Sequence, residues 1–127
     1  IASRDVVNAL VEAATAAGAP YHLGVIRSVD ALYSDLVPDQ MPRSTELKEE
    51  LAMWSRAGIL CNEMESSTLF VVSRIRRVRA GTLNLCVDEM NAGEIHHVDA
   101  SYMDRMFKVA VDAIRLLIEM DRAATGQ

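Results

Sequence analysis

From Ser3 to Ala17, apolar side chains recur at Val6, Val7, Leu10, Ala13, Ala14 and Ala17. This is the spacing of one helical face, with Ser3 as a candidate N-cap and Gly18 as a stop. "YHLGVIRSV", Tyr21 to Val29, predicts a strand, helped by its β-branched residues. "DALYSDLVPDQMPRSTE", from Asp30, carries two prolines and no sustained period, which predicts a long loop. A second helix is expected over Ser44 to Ala57, with Leu47, Leu51 and Trp54 as its buried stripe, Ser44 as a cap and Gly58 as terminator. "GILCNEM" reads as a short strand running directly into a helix over Glu65 to Arg77. "AGTLNLCVD", Ala80 to Asp88, is an apolar run of the kind buried on both faces of a sheet, and predicts a third strand. An irregular stretch, "EMNAGEIHHVDA", separates it from the closing helix, Ser101 to about Asp121. In that helix Met103, Met106, Phe107, Ala110, Ala113, Ile114 and Leu117 follow three- and four-residue steps, so its methionines read as core-fillers.

Helices and strands in alternation favour an α/β layered fold with a sheet between helices. Three strands make a narrow sheet, however, and leave apolar faces and edges uncovered. The chain also opens "IASRD", straight into a helical pattern and without an initiator methionine. Both features suggest a piece of something longer.

Composition narrows the function classes. The 127 residues make one domain or part of one, half of them apolar and 24% charged, as in an ordinary globular chain. A net charge of −5 argues against general affinity for nucleic acid or for an anionic membrane surface. The local exception, "RIRRVR" over Arg74 to Arg79, reads as a solvated helix end whose arginines complement the partial negative charge there. Cys61 and Cys86 both fall inside apolar runs, which suggests small core residues in a reducing, cytoplasmic compartment. No stretch is long and apolar enough to predict a membrane span.

Ligands in α/β sheets gather beyond the C-terminal ends of the strands. Three such ends carry polar residues: the loop after Val29, the "EMES" turn, and the loop after Asp88. Glu63 and Glu65 stand where an apolar strand becomes a helix, a costly place for carboxylates unless something offsets their desolvation. Glu65 has two readings. It is an acid in a first helical turn, favoured there by the helix dipole, or its two oxygens accept from a pair of neighbouring hydroxyls such as a ribose diol. Asp88 with Glu89 is either a solvated pair or a source of a general acid, if burial raises a pKa. His96 and His97 are adjacent and cannot ligate as an i, i+4 pair, and His22 reads as structural. No zinc site, P-loop or dinucleotide-binding glycine pattern is predicted.

"AGILCNEMESSTLFVVSRIRRVRAGTLNLCV" resembles the C-terminal half of the nucleoside phosphorylases, most closely their uridine-cleaving branch. "VNALVEAATAAGAPYHLGVIRSVDALY", "KEELAMWSRAG" and "AVDAIRLL" are similar to the flanking segments of that family, so the likeness covers nearly the whole chain. It implies a three-layer α/β/α fold with a central mixed sheet, of which residues 1–127 are the C-terminal portion of a single domain. The implied enzyme is a pentosyltransferase that uses inorganic phosphate as co-substrate, needs no cofactor or metal, and releases uracil and ribose 1-phosphate from uridine. By resemblance Glu65 binds the 2′ and 3′ hydroxyls, Met64 packs on the sugar, and Glu63 supports the turn and the ribose side of the pocket. Leu32 and Tyr33 stand where the family packs an aromatic residue on uracil. Gln40 and Arg43 are three apart, where the family reads the uracil edge with a glutamine and an arginine two apart. The arginine the family carries after the last strand is replaced by "DEMN". A carboxylate there, Asp88, is similar to the proton donor of purine-specific phosphorylases and nucleosidases, which stand as the alternative, beside a non-catalytic fragment. No phosphate-binding residues are expected in this chain. The resemblance also implies the N-terminal half as a partner and a homodimer or a trimer of dimers.

Overall fold

A computed structural model of the chain describes residues 1–87 and 99–126, which fall into two compact units. The first takes residues 1–21, 68–85 and 99–126; the second takes 22–67 with Cys86 and Val87. Asp88, Glu89, His96 and His97 lie outside the described residues.

The first unit is built on helix α1 (Arg4–Ala16) packed against helix α5 (Ala100–Thr125). Small residues make this possible: Ala9, Ala13 and Ala14 on α1 are buried with Val109 and Ala113 on α5, and Leu10, Leu83, Leu116 and Leu117 close around them. Short side chains let the two backbones approach, so the burial comes from contact along the helices rather than from large side chains. Ser3 stands at the N-cap position of α1, yet its hydroxyl caps nothing. It accepts from the Ala80 N–H at 3.1 Å, while the Ser3 N–H donates to the Ala80 carbonyl at 2.7 Å. Gly81 follows for a reason of space: a Cβ there would lie 2.6 Å from Cγ1 of Val6.

These contacts replace the expected third strand. Residues 80–87 form no helix or strand. A strand exists only where a second strand presents its N–H and C=O groups, and the backbone partner found at the start of this run is Ser3, beside a helix. The run is also less buried than its apolar sequence predicts: Asn84, Cys86 and Val87 are exposed. Cys86 is therefore no core residue, while Cys61 is half-buried; neither forms a disulfide.

Helix α5 corrects a second expectation. Its apolar positions make two faces, not one. Ala113 and Leu117 belong to the side packed on α1, whereas Met103, Phe107, Val111, Ile114 and Ile118 form an exposed stripe. Asp99 caps this helix by accepting from the Ser101 N–H at 2.8 Å.

Helix α4 (Ser66–Arg76) ends in the basic run. Arg74 and Arg76 are exposed in its last turn, and Arg79 meets Asp121 at 2.5 Å and Asp5 at 3.8 Å. These pairs are solvated and contribute little. Arg77 holds a φ of 56°, the left-handed conformation in which helices terminate. In an L residue that conformation costs about 1–2 kcal/mol, partly offset on replacement by the larger chain entropy glycine loses in folding. Arg77→Gly is therefore expected to stabilise the protein by about 0.5 kcal/mol, read from its denaturation midpoint. A lower midpoint would show that the arginine side chain makes a compensating contact.

The second unit contains a parallel pair of strands, β1 (Val25–Ser28) and β2 (Ile59–Glu63). Between them the chain forms helix α2 (Leu32–Leu36), a 3-10 turn at Pro38–Gln40, and helix α3 (Ser44–Arg56). The long loop expected after Asp30 is thus largely ordered into local turns. The Ser34 hydroxyl donates to the Ala31 carbonyl at 2.7 Å, and Pro38 opens the 3-10 turn, where its fixed φ suits the first position and its missing N–H costs no bond. Leu47, Leu51 and Trp54 form the half-buried stripe of α3. Ser44 is the first helical residue rather than the cap, and Arg43 stands at the cap position. Gly58, at φ 82°, turns the chain from α3 into β2.

The strand register is irregular. Val25 is opposite Ile59, but Arg27 is opposite Asn62 and Ser28 opposite Glu63, so β2 carries one extra residue over this interval. An even ladder would have set Arg27 against Cys61. Among the described residues the class is α/β with this small parallel sheet, and no helix is long and apolar enough to cross a membrane.

Candidate functional site

The end of β2 and the start of α4 make a turn of four residues, Glu63 to Ser66, all within the second unit. The Glu63 carboxylate is committed inside it. One oxygen accepts from the Ser28 hydroxyl, and the other accepts from the backbone N–H groups of Glu65 at 2.9 Å and Ser66 at 2.6 Å. The Ser28 oxygen in turn accepts from the Ser67 N–H at 3.0 Å. A helix start leaves its first N–H groups without partners inside the helix. Here a carboxylate from β2 and a hydroxyl from β1 supply them, the pairing that the extra β2 residue brings opposite one another.

Burial pushes the Glu63 carboxyl upward, but hydrogen bonds from Ser28, Ser66 and Glu65 outweigh it and hold its pKa below the ordinary glutamate range. The Ser66 N–H, rather than its hydroxyl, makes the directed bond. The Ser66 hydroxyl is buried and has no hydrogen-bond partner among the described residues.

Both Glu63 oxygens are therefore engaged within the turn, while its neighbours face outward. Met64 is 42% exposed. Glu65 is exposed, and among the described residues its carboxylate accepts only a 3.2 Å bond from the Met64 N–H. The arrangement offers an apolar thioether side chain beside a carboxylate with acceptor capacity left over, which suits a sugar diol. It suits a phosphate poorly, because the α4 N–H groups that attract anions are already held by Glu63 and Ser28.

The residues expected at the base side are spread over the same unit. Leu32 and Tyr33 are exposed on α2, Gln40 ends the 3-10 turn, and Arg43 precedes α3. Among the described residues, no hydrogen bond or ion pair joins the side chain of Gln40 or Arg43 to Glu63, Met64 or Glu65. Asp88 lies outside the described residues. No group of three or more His, Cys, Asp or Glu side chains among the described residues is placed to hold a metal ion.

A polar cluster that sequence reasoning missed lies on the other face of the strands. Asp35 of α2 accepts from Arg27 of β1 at 3.0 Å and from Asn62 of β2 at 2.7 Å, both on one oxygen. Arg27 also donates to Glu50 of α3 at 2.7 Å, and its guanidinium lies 5.6 Å from the Trp54 ring centre. The Trp54 indole N–H donates to the same Glu50 oxygen at 3.2 Å. An arginine inside a short apolar strand was the available signal. Its partners were not legible, because the shifted register decides what faces it.

A model of the phosphorylase superfamily matches residues 1–120. The chain is 33% identical over 118 residues to a uridine phosphorylase of Treponema pallidum (strain Nichols), a match covering 91% of this chain and 46% of that protein. It is 29% identical over 125 residues to a uridine phosphorylase of Escherichia coli (strain K12), covering 93% of this chain and 49% of that protein. A uridine phosphorylase of Klebsiella aerogenes is 30% identical over 119 residues, with 87% and 46% covered. The chain spans about half the length of these relatives.

Proposed function

The chain belongs to the phosphorylase superfamily, and on that premise we propose that the complete protein is a uridine-type nucleoside phosphorylase. A phosphate oxygen attacks C1′ of uridine, the C1′–N1 bond breaks, and its electron pair leaves with uracil; the product is ribose 1-phosphate. The observation that carries this reading is the division of labour in the turn. Glu63 is consumed in holding it, and Glu65 is left exposed with Met64 beside it.

Glu65 binds the 2′ and 3′ hydroxyls and Met64 packs on the sugar. Positive charge develops on the ribose as the base departs. A carboxylate fixed on the diol orients the ring and adds negative potential beside that charge. Leu32, Tyr33, Gln40 and Arg43 contribute to the base side. Inorganic phosphate is the co-substrate, with no further cofactor, and the N-terminal half supplies its binding groups.

In the complete protein residues 1–127 are the C-terminal portion of one three-layer α/β/α domain with a central mixed sheet. Two observations support that reading: the relatives are about twice as long, and α5 carries an exposed apolar stripe that such a domain would cover. A homodimer or trimer of dimers and a cytoplasmic location complete the proposal. Nucleoside salvage is its physiological sense.

The test is uridine and inosine cleavage by the complete protein, each with and without phosphate. Uracil release that requires phosphate is the expected result. Hypoxanthine release instead would move the reading to the purine branch and make Asp88 the proton donor to mutate. Neither base released would leave a non-catalytic protein.

A further inference from the structure

We propose that Asp35 is a positioning residue for nucleobase binding, fixing α2 to the same two strands that hold the ribose turn. The proposal rests on the function proposed above. Arg27 and Asn62 are opposite one another across the strands, and both donate to a single Asp35 oxygen. The next pair along the ladder, Ser28 and Glu63, holds the start of α4. Neighbouring residues of a strand project to opposite faces. Two consecutive rungs of one ladder therefore anchor two different segments, α2 on one face and the Met64–Glu65 turn on the other.

Asp35 is the link that α2 itself contributes. Its side chain is only 12% exposed, whereas Leu32 and Tyr33 on the same short helix are exposed by 49% and 64%. Arg27 does not depend on Asp35 for its own placement, since Glu50 and the Trp54 ring hold it from the α3 side. Truncating Asp35 thus releases α2 while leaving a preorganised guanidinium behind. The segment carrying Leu32 and Tyr33 then samples other positions, and base affinity falls with the fraction of time it is correctly placed.

In the complete protein, Asp35→Ala is expected to raise KM for uridine and the inhibition constant of free uracil together, each by about tenfold, with kcat changed less than about threefold. KM for phosphate stays at the wild-type value. Asp35→Asn, which keeps an oxygen acceptor for Arg27 and Asn62, restores most of the loss. A merely structural role predicts something else: phosphate KM, uracil inhibition and kcat deteriorate together, and that result overturns the proposal. So does an Asp35→Ala protein kinetically identical to wild type. Should that variant fail to fold, Asn62→Ala removes one of the two donors and carries the same expectation at about threefold.

If the wild-type protein cleaves no nucleoside, the functional reading has failed, and hydrogen exchange decides the positioning claim alone. Asp35→Ala must then raise exchange across residues 32–37 and leave α3 unchanged; unaltered exchange there overturns it.

Discussion

Glu65→Ala in the complete protein is expected to lower kcat/KM for uridine by about a hundredfold or more while the denaturation midpoint stays where it is. The two halves of that expectation have separate grounds. Stability is insensitive because the Glu65 side chain is exposed and its described bond is a 3.2 Å contact with its neighbour's N–H. Activity is sensitive under the proposed function, in which the carboxylate meets the ribose where positive charge develops. An interaction that strengthens in the transition state is lost mainly from kcat, so kcat should fall more than KM rises. Glu65→Gln keeps the shape and one acceptor oxygen but not the charge, and should fall between. Steady-state kinetics and unfolding on the same preparations decide the matter. Wild-type turnover in Glu65→Ala would remove Glu65 from the ribose site.

The sequence carried this division only in part. Helical spacing and terminators were written locally, and α1, α3 and α4 stand within a residue or two of where apolar periodicity and Gly18 or Gly58 put them. Element type at 80–87 was not local information. That run has a strand's composition, yet a strand needs a ladder partner and the segment starts against Ser3 instead. The two faces of α5 were hidden for a related reason: apolar residues on both sides give a strong helical signal without saying which side has a partner.

At the site, residue chemistry marked the EMES turn, and the resemblance alone gave its two glutamates different roles, Glu65 on the ribose diol and Glu63 in support of the turn. What separates them is the partner strand. Ser28 stands opposite Glu63 only because β2 has one residue more than β1 across the paired stretch, and periodicity does not report such a shift. The same shift sets Arg27 opposite Asn62 and so creates the Asp35 cluster. One irregularity thereby places residues on both faces of the strands.

Glu63→Ala is the second large effect, and it should differ in kind from the first. Removing the carboxylate leaves the N–H groups of Glu65 and Ser66 without the acceptor they have now and frees the Ser28 hydroxyl. Loss of a helix cap and of a half-buried charged acceptor together is expected to destabilise the protein by about 2–3 kcal/mol. Activity should fall as well, because Met64 and Glu65 ride on the turn. The pH dependence identifies the mechanism. A carboxyl whose folded pKa is depressed contributes stability that is fully present above its unfolded pKa, about 4.3 for glutamate, and lost as pH falls through the folded value. Glu63→Gln keeps a similar shape without the charge. The stability gap between wild type and Glu63→Gln should therefore be widest near pH 7 and narrow below about pH 4. Ser28→Ala should narrow that pH dependence too, since it removes one of the bonds that hold the pKa down. Denaturant midpoints of the three proteins at pH 7 and pH 3.5 provide the comparison. A gap of constant size would mean that Glu63 acts through its shape alone. Lost turnover in Glu63→Ala at an unchanged midpoint would instead put Glu63 on the substrate, beside Glu65.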